Sequence, residues 1–254
     1  MTTDLNTEKR LAEHLWLDRL DTASAIAVML DNQAEAIVAI KAVLREIEQA
    51  IKLAHQRLSA SDDARLIYAG AGTSARIAVQ DGSELLPTFD WPAGRVDYLI
   101  AGGPEALMRP VENAEDKSQA ALQATENCAL MPRDVVICLA ASGTTPFTCK
   151  VAETARKKGA LTIGIANNRH TPLLELSECG ICLDTGPEAV AGSTRLKAGT
   201  AQKICLNMIS TQLMILSGRV QDGLMVAMQP RNAKLKQRHE QIKALLCDDK
   251  KTAP

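Results

Sequence analysis

Between residues 22 and 58, apolar side chains recur at intervals of three and four: Ile26, Met29, Leu30, Ile37, Ile40, Val43, Leu44, Ile47, Ile51 and Leu58. That spacing lays an apolar stripe along a helix, and it predicts two helices that meet near Asp31-Asn32. From residue 66 onward the pattern changes to short apolar runs separated by amphipathic stretches. The runs predict strands at 66–69, 96–101, 135–140, 161–166 and 180–183, and the stretches between them predict helices over 74–85, 104–127, 146–158 and 198–217. Elements of these lengths in alternation specify an α/β protein: a mostly parallel sheet with helices on both faces, preceded by the N-terminal helices. In such sheets ligands bind beyond the carboxyl ends of the strands.

Two loops rich in small residues occupy that position. The first, Gly70 to Ser74, follows the run Leu66-Ile67-Tyr68, and the second, Ala141 to Thr145, follows the run at 135–140. Gly70 and Gly72 allow a tight turn and close ligand approach. Thr73 and Ser74 stand where a helix begins, with free backbone N–H groups and the positive end of its dipole. Ser142, Gly143, Thr144 and Thr145 repeat this chemistry in the second loop. Serine and threonine often do no more than cap helices, but two such loops at corresponding strand ends point to a ligand. The ligand is not a dinucleotide. Gly70-x-Gly72-x-x-Ala75 fits a loose fingerprint, yet the acidic residue near the expected spacing, Asp90, follows no strand, and no G-x-x-x-x-G-K-[ST] occurs. Several hydroxyls beside backbone N–H groups suit a single phosphate monoester, whose oxygens point in many directions.

Composition narrows the function classes further. A chain of 254 residues with 46% apolar content buries one large core with appendages. Its 29 basic and 30 acidic residues leave a net charge of -1, and no long run of like charge occurs, which argues against broad nucleic-acid or anionic-membrane binding. No apolar run approaches the roughly 18 residues of a membrane span, and the start MTTDLNTEKR lacks the apolar centre of a signal peptide, so a soluble cytoplasmic protein is expected. The seven cysteines read as small core residues of a reducing compartment. Cys179 and Cys182 form a C-x-x-C, but within a strand-like run and with no second pair at zinc spacing. The four histidines lie far apart, and no metal site is expected.

Longer motifs carry a resemblance. GAGTSAR at 70–76, DGSE at 81–84 followed by PTF, IAGGPEAL at 100–107, ENAED at 112–116, ASGTTPF at 141–147, GPEAVAGSTRLKAGTAQK at 186–203 and LNMIST at 206–211 run in one order. In that order the chain resembles the sugar isomerase domain family, and within it the N-acetylmuramic acid 6-phosphate etherase branch, from Thr7-Glu8 to about Arg238. The resemblance implies a flavodoxin-like sugar isomerase domain over 57–220, an N-terminal helical segment over 1–56 and a C-terminal helix and tail over 221–254. It also implies a homodimer that needs no cofactor and acts on a phosphorylated amino sugar. The reaction it implies cleaves the D-lactyl ether of N-acetylmuramic acid 6-phosphate to N-acetylglucosamine 6-phosphate and D-lactate in cell-wall recycling.

By motif the two catalytic glutamates of that family fall on Glu84 and Glu115, with Glu84 as the acid for departing lactate and Glu115 as the base. Chemistry supports such a pair. An open-chain aldehyde acidifies the C2 proton, and elimination then needs a base at C2 and an acid at the ether oxygen. Glu112, three positions before Glu115, shares its face if the segment is helical. Glu188 is a further acidic candidate, and Ser193 and Thr194 precede a long helix. Arg195 and Lys197 would hold phosphate or the lactyl carboxylate, or else belong to a subunit contact.

The chain departs from the pattern at several positions. Thr144 stands where an arginine is usual, Ala75 and Asn113 replace glycines, Gly82 replaces an alanine, and the chain ends at Pro254, short of the helical tail of longer members. Two other readings share the cradle: an aldose–ketose isomerase, which has no use for an acid at C3, and a non-catalytic phosphosugar-binding regulator, which needs neither glutamate.

Overall fold

The computed structural model describes residues 5–230, 236–242 and 244–245. After three short 3-10 turns the chain enters helix α1 (Thr22–Lys41), started by the Asp21 carboxylate, which accepts from the backbone N–H of Ala23 at 2.9 Å and Ser24 at 3.1 Å. Helix α1 runs through Asp31-Asn32, where a break was expected, and the chain turns only at Ala42-Val43 before α2 (Leu44–Ser59). The reason is tertiary. The Asn32 amide donates to the Pro187 carbonyl at 3.2 Å and accepts from the Ala189 N–H at 3.1 Å, so its polar groups are satisfied by a distant loop rather than by competing with the helix backbone.

Strands β1 (Leu66–Gly70), β2 (Val96–Ile100), β3 (Val135–Leu139), β4 (Leu161–Ala166) and β5 (Cys179–Cys182) form one parallel sheet in the order β2-β1-β3-β4-β5. Helices α3 (Gly72–Ser83) and α4 (Leu85–Phe89) follow β1. Helix α5 (Ser118–Asn127) follows β2, α6 (Pro146–Lys157) follows β3, α7 (Pro172–Leu176) follows β4, and α8 (Lys197–Leu216) follows β5.

Strand parity sorts the core into two layers, because successive side chains point to opposite faces. Leu66 and Tyr68 of β1 with Val135, Ile137 and Leu139 of β3 pack against α1, α2, α3 and α8. Ile67, Ala69, Val136 and Cys138 pack against α5, α6 and α7. The central strands are buried on both faces, which is why they read as unbroken apolar runs rather than alternations.

The stretch at 104–127, expected to be one helix, is not. A 3-10 turn spans Pro104–Leu107, turns occupy most of 111–117, and only Ser118–Asn127 is α-helical. Pro110 interrupts the pattern, and Asn113 sits at φ 57, a left-handed backbone that no helix tolerates. Glu112 and Glu115 therefore lie on a turn and do not share a helix face.

Helix α1 is also long and apolar enough, by length and composition alone, to cross a bilayer, which the sequence reading did not expect. Its alanines, isoleucines and valines outweigh Asp31, Asn32, Gln33 and Glu35 in the average, but those polar groups interrupt it, and Ala36, Ala39 and Ile40 are buried in the protein. Residues 236–242 and 244–245 are helical; the tail expected from Cys247 to Pro254 lies outside the described residues.

Candidate functional site

The strand order places a switch point between β1 and β3. From β1 the chain goes outward to β2, and from β3 outward to β4 on the other side, so α3 and α6 depart to opposite faces of the sheet. The crevice this opens is a cavity of about 310 Å³ lined by Glu8, Ala71 to Ser74, Glu115, Asp116, Ala140 to Ser142, Thr144, Thr145, Pro146 and Thr194. Both helices point their N-termini at it, and neither is capped by a side chain. The N–H groups of Gly72, Thr73 and Ser74 therefore remain available to an anion, in the field of two dipole ends; at α6, Pro146 has no N–H and that of Phe147 is taken by the Glu115 carbonyl.

The second loop is tightly built. The Thr144 N–H donates to Ser142 Oγ at 3.2 Å, and Ser142 Oγ and Thr145 Oγ1 lie 3.5 Å apart. Gly143 has φ 72, and a Cβ there would lie 2.2 Å from Thr171 Oγ1. Its N–H donates to Ala140, and its carbonyl accepts from Leu173 at 3.0 Å, which ties the loop to α7. We expect Gly143→Ala to lose about 2 kcal/mol or more of stability and to weaken binding of inorganic phosphate, because the residue combines left-handed backbone with no room for a methyl group. A melting curve and a phosphate titration both matching wild type would contradict this.

Glu115 reaches the cavity from the turn before α5, and its backbone carbonyl accepts from the Phe147 N–H at 2.9 Å. Phe147 is buried on α6, contributing about 1.5–3 kcal/mol, so this contact fixes the Glu115 backbone against the rigid start of that helix. Ser74 is largely buried, and its hydroxyl lies 2.9 Å from Gln202 Oε1. Gln202 Nε2 in turn donates to Asn167 Oδ1 at 2.9 Å. That relay wires the first loop to α8 and to the end of β4; Gln202 stands in the motif at 186–203 with no role assigned to it there, and Asn167 lies in no motif.

The remaining expected residues divide. Thr194 lines the cavity, Ser193 precedes it half-buried, and Arg195 is exposed beside it. Glu188 and Lys197 are fully buried. The Glu188 carboxylate accepts from the backbone N–H of Lys197 at 3.0 Å and Ala198 at 2.8 Å, at the start of α8. Burial raises its pKa above the ordinary value, while these two N–H groups and the Lys197 charge pull it down. Lys197 Nζ pairs with Glu35 of α1 and donates to the Pro187 carbonyl at 2.9 Å. Both side chains thus hold α8 to α1 and to the loop before it. Glu188→Ala should cost about 1–2 kcal/mol through loss of the cap, read as a lower melting temperature; an unchanged melting temperature would show that this cap carries no weight.

Glu84 lies elsewhere. It is exposed at the C-terminal end of α3 and lines a separate cavity of about 340 Å³ with Ile77, Gln80, Asp81, Leu85, Lys203, Asn207 and Thr211. Since α3 has 12 residues, about 18 Å of helix separates it from the first loop. Beneath it the buried Asp81 carboxylate accepts from Tyr68 Oη at 2.8 Å, Asn207 Nδ2 at 2.7 Å and Ser210 Oγ at 3.0 Å. One chain therefore presents Glu84 and Glu115 in different cavities. Sequence reasoning assigned no part to Glu8 or Asp116, which do line the first cavity.

Comparisons with known proteins agree with this architecture. Residues 46–156 match the glucokinase regulatory protein N-terminal SIS domain, and residues 112–212 match the SIS domain. The chain is 44% identical over 242 residues to an N-acetylmuramic acid 6-phosphate etherase of Deinococcus radiodurans, covering 95% of this chain and 79% of that one. It is also 44% identical, over 95% of its length and 77% of the relative's, to the protein of that name in Streptomyces coelicolor. Among solved structures, a phosphoheptose isomerase from Francisella tularensis superposes with a TM-score of 0.56 at 18% identity, covering 78% of this chain and 98% of that one.

Proposed function

Because the chain belongs to the N-acetylmuramic acid 6-phosphate etherase family, we propose that it cleaves the D-lactyl ether of N-acetylmuramic acid 6-phosphate, giving N-acetylglucosamine 6-phosphate and D-lactate. The observation that carries the reading is the cavity at the switch point, where two hydroxyl-rich loops, two uncapped helix N-termini and the carboxylate of Glu115 converge. The phosphoryl group sits at Gly72 to Ser74 and Ser142 to Thr145, held by N–H and O–H donors. No lysine or arginine lines this cavity among the described residues, in keeping with threonine at 144 where the family pattern has arginine. Glu115 takes the proton from C2 of the ring-opened sugar while an acid protonates the ether oxygen, so that the C2–H and C3–O bonds break and a C2–C3 double bond forms. Water then adds its hydroxyl to C3 and a proton to C2.

Glu84 is the acid in this reading, and a second copy of the chain supplies it. Too far along α3 to reach the cavity of its own chain, it stands on a surface with exposed apolar residues at Ile215 and Leu216 of α8. On α1, Ile26, Leu30 and Ile37 form another exposed stripe, at 55%, 70% and 45%. A homodimer closing over these helices covers that apolar surface and carries Glu84 toward the partner's cradle. The enzyme acts in the cytoplasm on a phosphosugar.

Release of D-lactate from the muramic substrate tests the reading. Interconversion of phosphosugars without lactate would mark an isomerase, and binding without turnover would mark a regulator, the reading that the match to the regulatory-protein domain keeps open.

A further inference from the structure

Glu8 lines the cradle but has no part in the scheme above. Glu8 arrives from the 3-10 turn Asn6–Glu8 at the start of the chain, and the residue before it is fully buried. The Thr7 N–H donates to Asn168 Oδ1 at 3.3 Å, and Asn168 Nδ2 donates to Thr7 Oγ1 at 3.1 Å and to the Ala141 carbonyl at 2.9 Å. The Thr7 carbonyl accepts from the Gly192 N–H at 3.0 Å. Thus the strap is pinned both to the second hydroxyl loop and to the loop leading into Thr194. Gly192 has φ 74, and a Cβ on it would lie 2.7 Å from Glu8 Oε2, so the carboxylate rests directly on bare backbone.

Among the described residues no hydrogen bond or ion pair engages the Glu8 carboxylate. Its backbone is over-determined while its side chain is unengaged, which is the pattern of a group kept for a ligand. The ligand part it faces follows from charge. Glu8, Glu115 and Asp116 line the cavity with no compensating lysine or arginine among the described residues, so a phosphoryl group cannot settle against them. An ionised carboxylate only accepts hydrogen bonds, and a sugar's hydroxyls supply donors.

We propose that Glu8 is a positioning residue, whose carboxylate accepts hydrogen bonds from hydroxyls of the bound phosphosugar and so fixes the sugar's carbon chain relative to Glu115. This inference rests on the phosphosugar reading of the cavity. Its test compares wild type, Glu8→Gln and Glu8→Ala in the full chain, by titration with N-acetylglucosamine 6-phosphate and separately with inorganic phosphate, alongside KM and kcat for lactate release. Loss of a hydrogen bond to a charged acceptor predicts that sugar-phosphate affinity falls, and KM rises, by about tenfold or more. Inorganic phosphate should bind as before or more tightly, since its seat is intact and a nearby negative charge is gone.

Equal weakening of both ligands would make Glu8 a structural prop and overturn the proposal, as would variants indistinguishable from wild type while wild type binds the sugar. A wild type that binds neither ligand would overturn the phosphosugar reading itself, and this inference with it. Because the side chain is exposed, melting curves of the variants should match wild type.

Discussion

Glu115→Gln is expected to lower the rate of D-lactate release by about 10²–10⁴-fold, the range that a positioned general base supplies. The side chain is exposed to the cavity, and what anchors this residue is its backbone carbonyl, held by Phe147 at 2.9 Å. Glutamine keeps the shape and removes only the basic oxygen. Melting temperature should therefore stay within the change typical of a surface substitution, about 0.5 kcal/mol in stability. Phosphate binding should persist, because its donors lie on the two hydroxyl loops. A variant that retains lactate release within tenfold of wild type would remove Glu115 from the chemistry.

Glu84→Ala and Glu115→Ala should each be inactive alone yet regain about a quarter of wild-type activity when equal amounts are dissociated, mixed and reassociated. Half of the dimers then carry one chain of each kind, and in each of these one of the two sites combines an intact Glu115 with an intact Glu84 from the partner. The expectation follows from the position of Glu84 at the far end of α3, in a different cavity from Glu115 of the same chain. Mixing that restores nothing, although light scattering shows dimers and a tagged copy retains its untagged partner, would mean that each site uses its own pair. A monomer at micromolar concentration would defeat the shared site outright.

All five expected strand runs correspond to observed strands within one residue; the central three read as apolar runs because both of their faces are buried, while the edge strands β2 and β5 are only partly buried and β2 carries Asp97. The helices at 146–158 and 198–217 were equally legible, the first from Thr145-Pro146 at its start and Gly159 beyond its end. The segment at 104–127 misled, since helical spacing of apolar residues continues through a stretch whose backbone is turned by Pro110 and by the left-handed Asn113. Apolar spacing reports which side chains face the core, whereas turns are set by dihedral angles that spacing does not encode.

The two hydroxyl loops were legible as a pair because each follows a strand, and the parallel sheet brings all strand ends to one edge. Glu188 and Lys197 looked like ligand groups and are buried partners of helix α8 instead, a difference decided by the direction in which the loop before that helix turns. Nothing in Thr7-Glu8 alone says that it reaches the cradle.

Local pattern by itself determined the alternation of elements, the parallel sheet and the two hydroxyl-rich loops at its strand ends, since periodicity, turn chemistry and strand-end position are properties of neighbouring residues. Only the tertiary structure decided which carboxylates share a cavity: Glu8 joins Glu115 from the far end of the chain, while Glu84 is carried away along α3. Charge and hydrogen-bonding groups are written residue by residue, but their distances depend on how the helices pack, and that packing is a property of the whole chain.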